Sequence, residues 1–263
     1  MEFKLAKLVK NGVPAIGTWV ELCDSGVVQV LANAGFDWAC IDTEHNPFDE
    51  TQLYTCICVA KKAGISPIVR VRKNDESLIK LALDLGAEGV VVPGIVDADD
   101  AAKAVSFAKY PPVGIRGYGP IRATYFWADK KEYDESVRDN VLLICQIERK
   151  SALSEVDKIC RIPDIDAVFI GPADLSLSMG YHGDYSHPKV QDAIKTIIDS
   201  ANKNKKIWGG IALDEISYME YAKQGALLTT LGADYFFMQN AASKEVRAVL
   251  DALIKAGLRK EKK

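Results

Sequence analysis

The sequence predicts an α/β protein in which eight parallel strands, each followed by a helix, close into a (β/α)8 TIM barrel. Three observations support this prediction. The length of 263 residues suits a fold that typically takes about 250 residues. A unit made of an amphipathic helix, a glycine and a short β-rich run recurs along the chain, and such alternation gives parallel strands with right-handed crossovers. Several of the β-rich runs are apolar throughout, as strands covered by helices on both faces are.

The helix–glycine–strand unit is clearest near the N-terminus, where Asp24 can cap a helix, Gly35 can end it, and a β-rich run follows. The same pattern predicts eight strands, at residues 15–20, 37–42, 67–71, 89–93, 141–148, 167–171, 207–212 and 233–239. It predicts helices near residues 24–34, 53–63, 78–85, 97–108, 190–202 and 216–223. An open, doubly wound sheet is the alternative, but eight units in this length favour a closed barrel.

Residues 111–140 do not fit the alternating pattern. This stretch opens with the segment PPVGIRGYGP and continues with an aromatic and charged run. We interpret it as an irregular insertion after the fourth strand, which carries a loop and can include helices. No linker or change of composition divides the chain, so residues 1–263 are expected to form a single barrel domain.

Composition and charge exclude several classes of protein. A net charge of −3 provides no basic field for a phosphate backbone, so we expect no nucleic-acid partner. No apolar segment reaches the ~18 residues of a membrane span, which excludes a membrane protein. The N-terminus also lacks the continuous apolar core of a signal peptide. The six cysteines are then interpreted as reduced thiols, and the expected location is the cytoplasm.

Polar residues collect at the predicted carboxyl ends of the strands, where the loops of a barrel converge on one mouth. They are four carboxylates, one histidine and one arginine: Asp42, Glu44, Glu148, Asp174, His45 and Arg70. Like charges so close together are unfavourable unless a cation offsets them. Glu148 and Asp174 are the preferred ligands for a hard divalent cation such as Mg²⁺ or Mn²⁺. From residue type alone, salt-bridged structural carboxylates are an equal alternative.

His45 and Arg70 have structural as well as catalytic interpretations. His45 can be a structural histidine, or a general acid/base that Asp42 or Glu44 orients. Arg70 lies within an apolar run and needs an anionic partner, so it can form an internal salt bridge to Glu148 or Asp42. Alternatively, it donates hydrogen bonds to an enolate oxygen or a substrate carboxylate. No predicted strand carries a lysine near its carboxyl end, which disfavours a Schiff-base aldolase.

Several segments, taken in order, resemble the metal-dependent (class II) pyruvate aldolases, the family of 4-hydroxy-2-oxoheptanedioate aldolase and 2-dehydro-3-deoxyglucarate aldolase. These segments are GFDWACIDTEHNPFD (35–49), PIVRV (67–71), PPVGIRGYG (111–119), CQIE (145–148) and FIGPADLSLSMGY (169–181). The resemblance extends over nearly the whole chain, and the ordered set of motifs is specific. It implies a carbon–carbon lyase of the wider citrate-lyase-like group that uses Mg²⁺ or Mn²⁺, with Co²⁺ also compatible.

The resemblance implies roles for individual residues as well. Glu148 and Asp174 match the metal-binding carboxylates of the family. Arg70 matches the arginine that stabilises a pyruvate enolate, and His45, supported by Asp42, matches the acid/base histidine. Contacts with substrate are expected from Trp19, Gln146, Gly171, Pro172 and Ala173. Main-chain amides in the segment that begins at Gly171 would hold the carboxylate of pyruvate.

The implied reaction is the reversible cleavage of a 4-hydroxy-2-oxo acid to pyruvate and an aldehyde, with His45 acting through a water molecule. The 2-oxo acid and the aldehyde would be the small-molecule partners. Family members are typically hexamers that exchange a C-terminal helix, so the resemblance implies a homo-oligomer. A thioester lyase of the citrate or malyl-coenzyme A type is the alternative among enzymes. A non-catalytic 2-oxo acid binding protein is the alternative outside them.

The sequence departs from the family pattern in two places. Arg72 and Lys73 precede Asn74 where many relatives have a proline and an aromatic residue, and Gly94 replaces a bulkier residue. The positive charges of Arg72 and Lys73 lead to the hypothesis that the aldehyde is acidic.

Overall fold

The structure is a computed structural model that describes residues 3–260, without the side chains at 138 and 139. Within these residues, nine parallel strands form one sheet: β1 (Ala15–Val20), β2 (Trp38–Asp42), β3 (Ser66–Arg70), β4 (Gly89–Val92), β5 (Leu142–Ile147), β6 (Ala167–Ile170), β7 (Ile207–Gly209), β8 (Ile211–Ala212) and β9 (Leu228–Ala233). The helices are α1 (Lys4–Lys10), α2 (Ser25–Ala34), α3 (Glu50–Ala63), α4 (Glu76–Asp84), α5 (Ala98–Ala108), α6 (Lys130–Asn140), α7 (Lys150–Leu153), α8 (Val156–Arg161), α9 (Pro172–Ser178), α10 (Pro188–Lys203), α11 (Glu215–Lys223) and α12 (Asp234–Lys255).

The sheet returns on itself at Gly210. Its strand order is β7-β6-β5-β4-β3-β2-β1-β9-β8, and only Gly210 separates β7 from β8 along the chain. The amide of Thr230 in β9 donates to the carbonyl of Gly210 at 3.0 Å. A Cβ atom on Gly209 would overlap the carbonyl group of Leu228, so glycine lets β7 approach β9. The predicted TIM barrel is confirmed, and the predicted strand 207–212 is divided into two short strands.

The last strand lies earlier in the chain than predicted. The predicted strand 233–239 is wrong, because β9 ends where this range begins and α12 starts at Asp234. Aromatic residues such as Phe236 give the range a β-rich composition, but tertiary context overrides such a propensity. The strand is formed instead by the run that contains Thr229 and Thr230, which are β-branched and pair with β1.

Capping residues mark the helix ends where the sequence predicts them. The Asp24 side chain accepts a hydrogen bond from the amide of Gly26, and Asp97 accepts one from the amide of Asp100, each at 2.7 Å. Gly35 ends α2 with a φ of 98°, in the left-handed region that favours glycine. These boundaries fix where each following strand can begin.

The irregular segment at 111–140 folds as turns followed by α6. Arg116 is 2% exposed and attaches the segment to the barrel. Its Nη2 atom donates to Asp84 Oδ1 at 2.6 Å and to the Tyr133 hydroxyl at 3.2 Å. Because the segment leads from the end of α5 into the start of β5, it lies at the end of the barrel opposite the predicted mouth.

The helix α12 is long but makes little contact with the barrel. Within α12, Asp234 is the one buried residue. Its large exposed hydrophobic residues are Tyr235, Phe236, Met238, Val246 and Val249. In the part of the chain that the structure describes, no helix is both long and apolar enough to cross a membrane.

Candidate active site

The carboxyl ends of the strands bring most of the sequence-predicted residues to one mouth of the barrel. Asp42 ends β2 and Arg70 ends β3, and the two are register partners in the sheet. Trp19 is the penultimate residue of β1, Gln146 is the penultimate residue of β5, and Glu148 follows β5 directly. Because the strands are parallel, these ends face the same side of the barrel.

Arg70 is a buried cation that is held from two directions, with 8% of its side chain exposed. Its Nε atom donates to Asp42 Oδ1 at 2.8 Å and lies 3.3 Å from Glu44 Oε2. The guanidinium stacks on the ring of Trp19, 4.2 Å from the ring centroid. Among the described residues, neither Nη atom of Arg70 has a hydrogen-bond partner, so both are available to a bound anion.

The environment keeps Arg70 charged. Burial acts to lower the pKa of its guanidinium, but the hydrogen bond and the charge of Asp42 outweigh burial and raise the pKa above its ordinary value. A permanently charged donor suits the stabilisation of an oxyanion, because its strength does not depend on pH in the physiological range.

Asp42 accepts hydrogen bonds from Arg70 and from two groups in the loop after β2. Its Oδ1 atom accepts from Arg70 and from the amide of Glu44 at 3.1 Å, and its Oδ2 atom accepts from Asn46 Nδ2 at 2.8 Å. The family resemblance implies that Asp42 supports the histidine, but both carboxylate oxygens are used elsewhere. The structure therefore makes Asp42 an anchor of Arg70, while its support of His45 stays a prediction.

Glu44 is the carboxylate nearest to His45. Its Oε2 atom lies 3.7 Å from His45 Nε2, and 59% of the His45 side chain is exposed. Burial raises the pKa of Glu44; Arg70 opposes this rise, and the charge of Glu148 adds to it. Glu44 Oε2 is buried without a hydrogen-bond partner among the described residues. Glu44 is thus placed to accept a proton or to stabilise a protonated imidazole ring.

Glu148 is a buried carboxylate held by two hydrogen bonds. Its Oε1 atom accepts from the amide of Gly94 at 2.6 Å, and its Oε2 atom accepts from Gln146 Nε2. Burial raises the pKa of Glu148, the two hydrogen bonds lower it, and the charge of Asp174 raises it again, with a net rise. A Cβ atom on Gly171 would lie 2.7 Å from Glu148 Oε2. Glycine is therefore needed at 171 for this placement of the carboxylate.

The donor atoms at Glu148 fit a hard divalent cation. Burial and the negative charge of Asp174 both disfavour the charged form of the Glu148 carboxylate. A bound cation would offset both effects. The buried Oε1 atom of Gln146 has no hydrogen-bond partner in the described part of the chain. No group of three His, Cys, Asp or Glu side chains among the described residues could hold a metal. The carboxylates of Glu148 and Asp174 remain the predicted ligands, and so few protein ligands would leave positions for water and substrate, as in a catalytic site.

The segment after β6 offers fewer amide donors than predicted. The Gly171 amide already donates to the carbonyl of Ile147 at 3.3 Å, and Pro172 has no N–H group. Ala173 lies in the first turn of α9, where amides have no acceptor within the helix. Of the three residues predicted to bind substrate here, Ala173 is therefore the one with an amide available.

Comparison with known proteins assigns the family. The family model described as HpcH/HpaI aldolase/citrate lyase matches residues 15–241. The chain belongs to this family. It is 37% identical over 243 residues to the 4-hydroxy-2-oxo-heptane-1,7-dioate aldolase of Escherichia coli, a match that covers 92% of this chain and 93% of the relative.

Solved structures of HpcH/HpaI proteins have the same fold. A family member from Burkholderia cenocepacia J2315 gives a TM-score of 0.89 at 32% identity and covers 94% of this chain and 99% of its own. The aldolase from Desulfitobacterium hafniense DCB-2 gives 0.85 at 31% identity, over 92% of this chain and 95% of its own. These matches confirm the resemblance and the predicted class of enzyme, an aldolase that makes or breaks a carbon–carbon bond.

Two of the residues that shape this HpcH/HpaI site were not predicted. Asn46 donates to Asp42, and Thr230 accepts from the Trp19 indole Nε1 atom at 3.0 Å. Asn46 follows the predicted strand end by four residues, so its position in the sequence already indicated the mouth. Thr230 was missed because the last strand was placed too late in the chain.

Arg72 makes two hydrogen bonds to the backbone of the loop after β2. Its Nε atom donates to the carbonyl of Thr43 at 3.1 Å, and its Nη2 atom donates to the carbonyl of Phe48 at 3.0 Å. Lys73 is 3.5 Å from Asp75 and largely exposed. In this HpcH/HpaI member, Arg72 therefore braces the loop after β2, and the hypothesis that Arg72 and Lys73 favour an acidic aldehyde stays a prediction.

Proposed function

We propose that this protein is a divalent-metal-dependent aldolase that reversibly cleaves a 4-hydroxy-2-oxo acid to pyruvate and an aldehyde. One observation carries the proposal: the buried, charged Arg70, with both Nη atoms available, shares the barrel mouth with the Glu148–Gln146 pair. Glu148 and Asp174 would hold Mg²⁺ or Mn²⁺, with Co²⁺ as a further option. The cation would supply Lewis acidity toward the oxygens of the 2-oxo acid.

The residues of the mouth can perform the bond cleavage. His45, acting through a water molecule, takes the proton of the 4-hydroxyl group, so that C4 becomes the carbonyl carbon of the aldehyde. The C3–C4 bond breaks, and its electron pair enters the enolate of pyruvate. The Nη groups of Arg70 donate to the enolate oxygen as its charge develops. Return of a proton from His45 to C3 gives pyruvate and restores the neutral imidazole.

Other groups position these reacting residues. Asp42 holds the Nε edge of Arg70, and Glu44 lies beside His45, where it stabilises the protonated ring. Gln146 and the Gly94 amide orient Glu148. The amide of Ala173 is proposed to receive the carboxylate of the 2-oxo acid.

The first substrate to test is a dicarboxylic 4-hydroxy-2-oxo acid. The relative from Escherichia coli is named for 4-hydroxy-2-oxo-heptane-1,7-dioate, and the two chains are similar over nearly their whole lengths. Shorter and uncharged 4-hydroxy-2-oxo acids complete the panel, because they test whether the positive charges of Arg72 and Lys73 favour an acidic aldehyde.

A homo-oligomer, with a hexamer as the expected state, is part of the same proposal. The apolar residues of α12 that are exposed in one chain, including Met238, Val246 and Val249, support association with further copies. We also place the protein in the cytoplasm. All six cysteines lie in the described residues and are free thiols, as expected for a reducing compartment.

The deciding experiment is an assay of pyruvate release from the substrate panel with Mg²⁺ or Mn²⁺, repeated with excess chelator. We expect release with the metal, loss of release with the chelator, and recovery when the metal is restored. Release that is indifferent to chelator would contradict the metal assignment. Turnover of a coenzyme A thioester in place of every 4-hydroxy-2-oxo acid would favour the thioester lyase. Binding of pyruvate without any turnover would favour a binding protein.

A further inference from the structure

A chain of buried contacts connects β9 with Arg70 on the other side of β1. The Trp19 indole Nε1 atom donates to the Thr230 hydroxyl at 3.0 Å. The guanidinium of Arg70 lies over the same indole ring, 4.2 Å from its centroid. Thr230 is fully buried and Trp19 is 4% exposed, so water does not compete for the hydrogen bond.

The hydrogen bond fixes the orientation of the indole ring. Nε1–H is the single hydrogen-bonding group of a tryptophan side chain, so Thr230 satisfies its whole polar requirement. On another side, the ring of Phe169 meets Trp19 edge to face, with centroids 5.9 Å apart. A ring held by a hydrogen bond and by an aromatic neighbour presents a fixed surface to Arg70.

The guanidinium of Arg70 needs such a surface because Asp42 alone does not define its plane. The bond from Nε to Asp42 fixes one edge of the group but allows it to tilt about that edge. The face of the Trp19 ring, with its centroid 4.2 Å from the guanidinium carbon, limits this tilt. The directions of the two Nη groups are then determined by Asp42 and Trp19 together.

We infer that Thr230 is a positioning residue for Arg70: its hydroxyl fixes the Trp19 ring, and the ring sets the plane of the guanidinium that meets the enolate. The inference rests on the role proposed above for Arg70. Loss of the hydroxyl leaves Arg70 charged and bound to Asp42, but with its Nη groups less well directed. Small errors of this kind lower the rate of a chemical step more than they lower substrate affinity.

The neighbouring residue Thr229 provides a matched control. It lies on the same strand and is 1% exposed, but its hydroxyl has no hydrogen-bond partner among the described residues. Thr229→Val and Thr230→Val therefore make the same chemical change at adjacent buried positions. Only the second change removes the contact with Trp19, together with a long hydrogen bond of 3.5 Å from the Thr230 hydroxyl to the Gly210 carbonyl. Thr230→Ser keeps both.

The test measures metal-dependent exchange of the pyruvate C3 protons with deuterium, which reports enolate formation without an aldehyde. We expect Thr230→Val to lower the exchange rate at saturating pyruvate by about tenfold with little change in KM. Thr230→Ser, which keeps the hydroxyl, should restore most of the rate. Thr229→Val should keep the wild-type rate. Thermal melting of each variant checks that the barrel is folded.

Two further measurements separate positioning from a general effect on packing. In an Arg70→Lys background, which has no planar group to stack, Thr230→Val should cause little additional loss. The ¹⁵N–¹H signal of the Trp19 indole, assigned with Trp19→Phe, should move in Thr230→Val and stay in place in Thr229→Val.

Several results would overturn the inference: a wild-type rate in Thr230→Val, an equal loss in Thr229→Val, or the same tenfold loss in the Arg70→Lys background. Arg70→Ala separates this failure from that of the proposed function. If Arg70→Ala keeps the wild-type exchange rate, the proposed role of Arg70 is wrong. If Arg70→Ala loses exchange and Thr230→Val does not, the positioning role of Thr230 alone is wrong.

Discussion

Arg70 and Glu148 show how contacts with neighbouring groups stabilise buried charged side chains in the mouth. Each is largely buried, and each is held by specific partners: Arg70 by Asp42 and Trp19, Glu148 by Gln146 and the Gly94 amide. Burial of an isolated charge would be costly, but these contacts offset the cost. The site therefore maintains a fixed cation and a fixed carboxylate before any ligand arrives.

Gly171 gives a prediction at the scale of a single residue. Gly171→Ala places a Cβ atom 2.7 Å from Glu148 Oε2 and 3.0 Å from Gln146 Nε2, so both side chains must move. We expect the affinity for Mn²⁺, measured by calorimetry on the metal-free protein, to fall by roughly 10–100-fold. Gly117→Ala is the control, because its nearest neighbour would be an ordinary contact at 3.8 Å. Unchanged Mn²⁺ affinity in Gly171→Ala would contradict the assignment of Glu148 as a ligand.

Residue-level prediction from sequence succeeds where a strand end fixes the position of a side chain. Asp42, Arg70 and Glu148 could be placed at one mouth because their strands are parallel. The pairing of Asp42 with Arg70 was one of two salt bridges considered, and the structure selects it. Which carboxylate lies beside His45 depends on the path of the loop after β2. Strand patterns do not determine that path.

At the scale of elements, the alternation of helices and strands was predictable because amphipathic periodicity and capping residues are local signals. The end of the barrel was harder to predict. The strand β9 has two polar threonines between its leucines, so its composition is less β-rich than that of the aromatic range 233–239. That range is nevertheless helical beyond its first residue. Pairing with β1 decides the assignment, and pairing is not visible in the sequence of one segment.

Gly209 gives a prediction at the scale of elements. A Cβ atom at this position would collide with the backbone of Leu228, so Gly209→Ala must push β7 away from β9 and strain the closure of the barrel. We expect a loss of about 2–4 kcal/mol in the free energy of unfolding, measured by urea denaturation. Gly119→Ala, with its nearest neighbour at 3.5 Å, should cost far less. Equal stability of the two variants would contradict the proposed role of Gly209.

At the scale of the whole molecule, the long helix α12 is largely left uncovered by the core of its own barrel. α12 exposes apolar residues along much of its length, and such a surface is typical of an interface between chains. The family and the barrel could be predicted because motifs and strand periodicity extend over the whole chain. The arrangement of copies could not, because it depends on surfaces that meet only in the assembly.

The oligomer gives a prediction at this scale. Sedimentation of the wild-type protein should give a mass several times the 28.8 kDa of one chain, with six copies expected. Val246→Glu combined with Val249→Glu puts two charges on the exposed face of α12 and should lower the mass, because unpaired charge is costly in an interface. Lys195→Glu on α10 should leave the mass unchanged. A wild-type protein that sediments as a single chain would contradict the proposal.

Asp234 connects the helix α12 with the loop that follows β1. It is the first residue of α12, and its Oδ2 atom accepts hydrogen bonds from the amides of Glu21 and Leu22, just beyond the end of β1 that carries Trp19. If neighbouring chains hold α12, they also hold this rim of the pocket. Turnover per chain would then depend on protein concentration. Kinetic constants measured in very dilute solution would describe a looser pocket than the one present in a crowded cell.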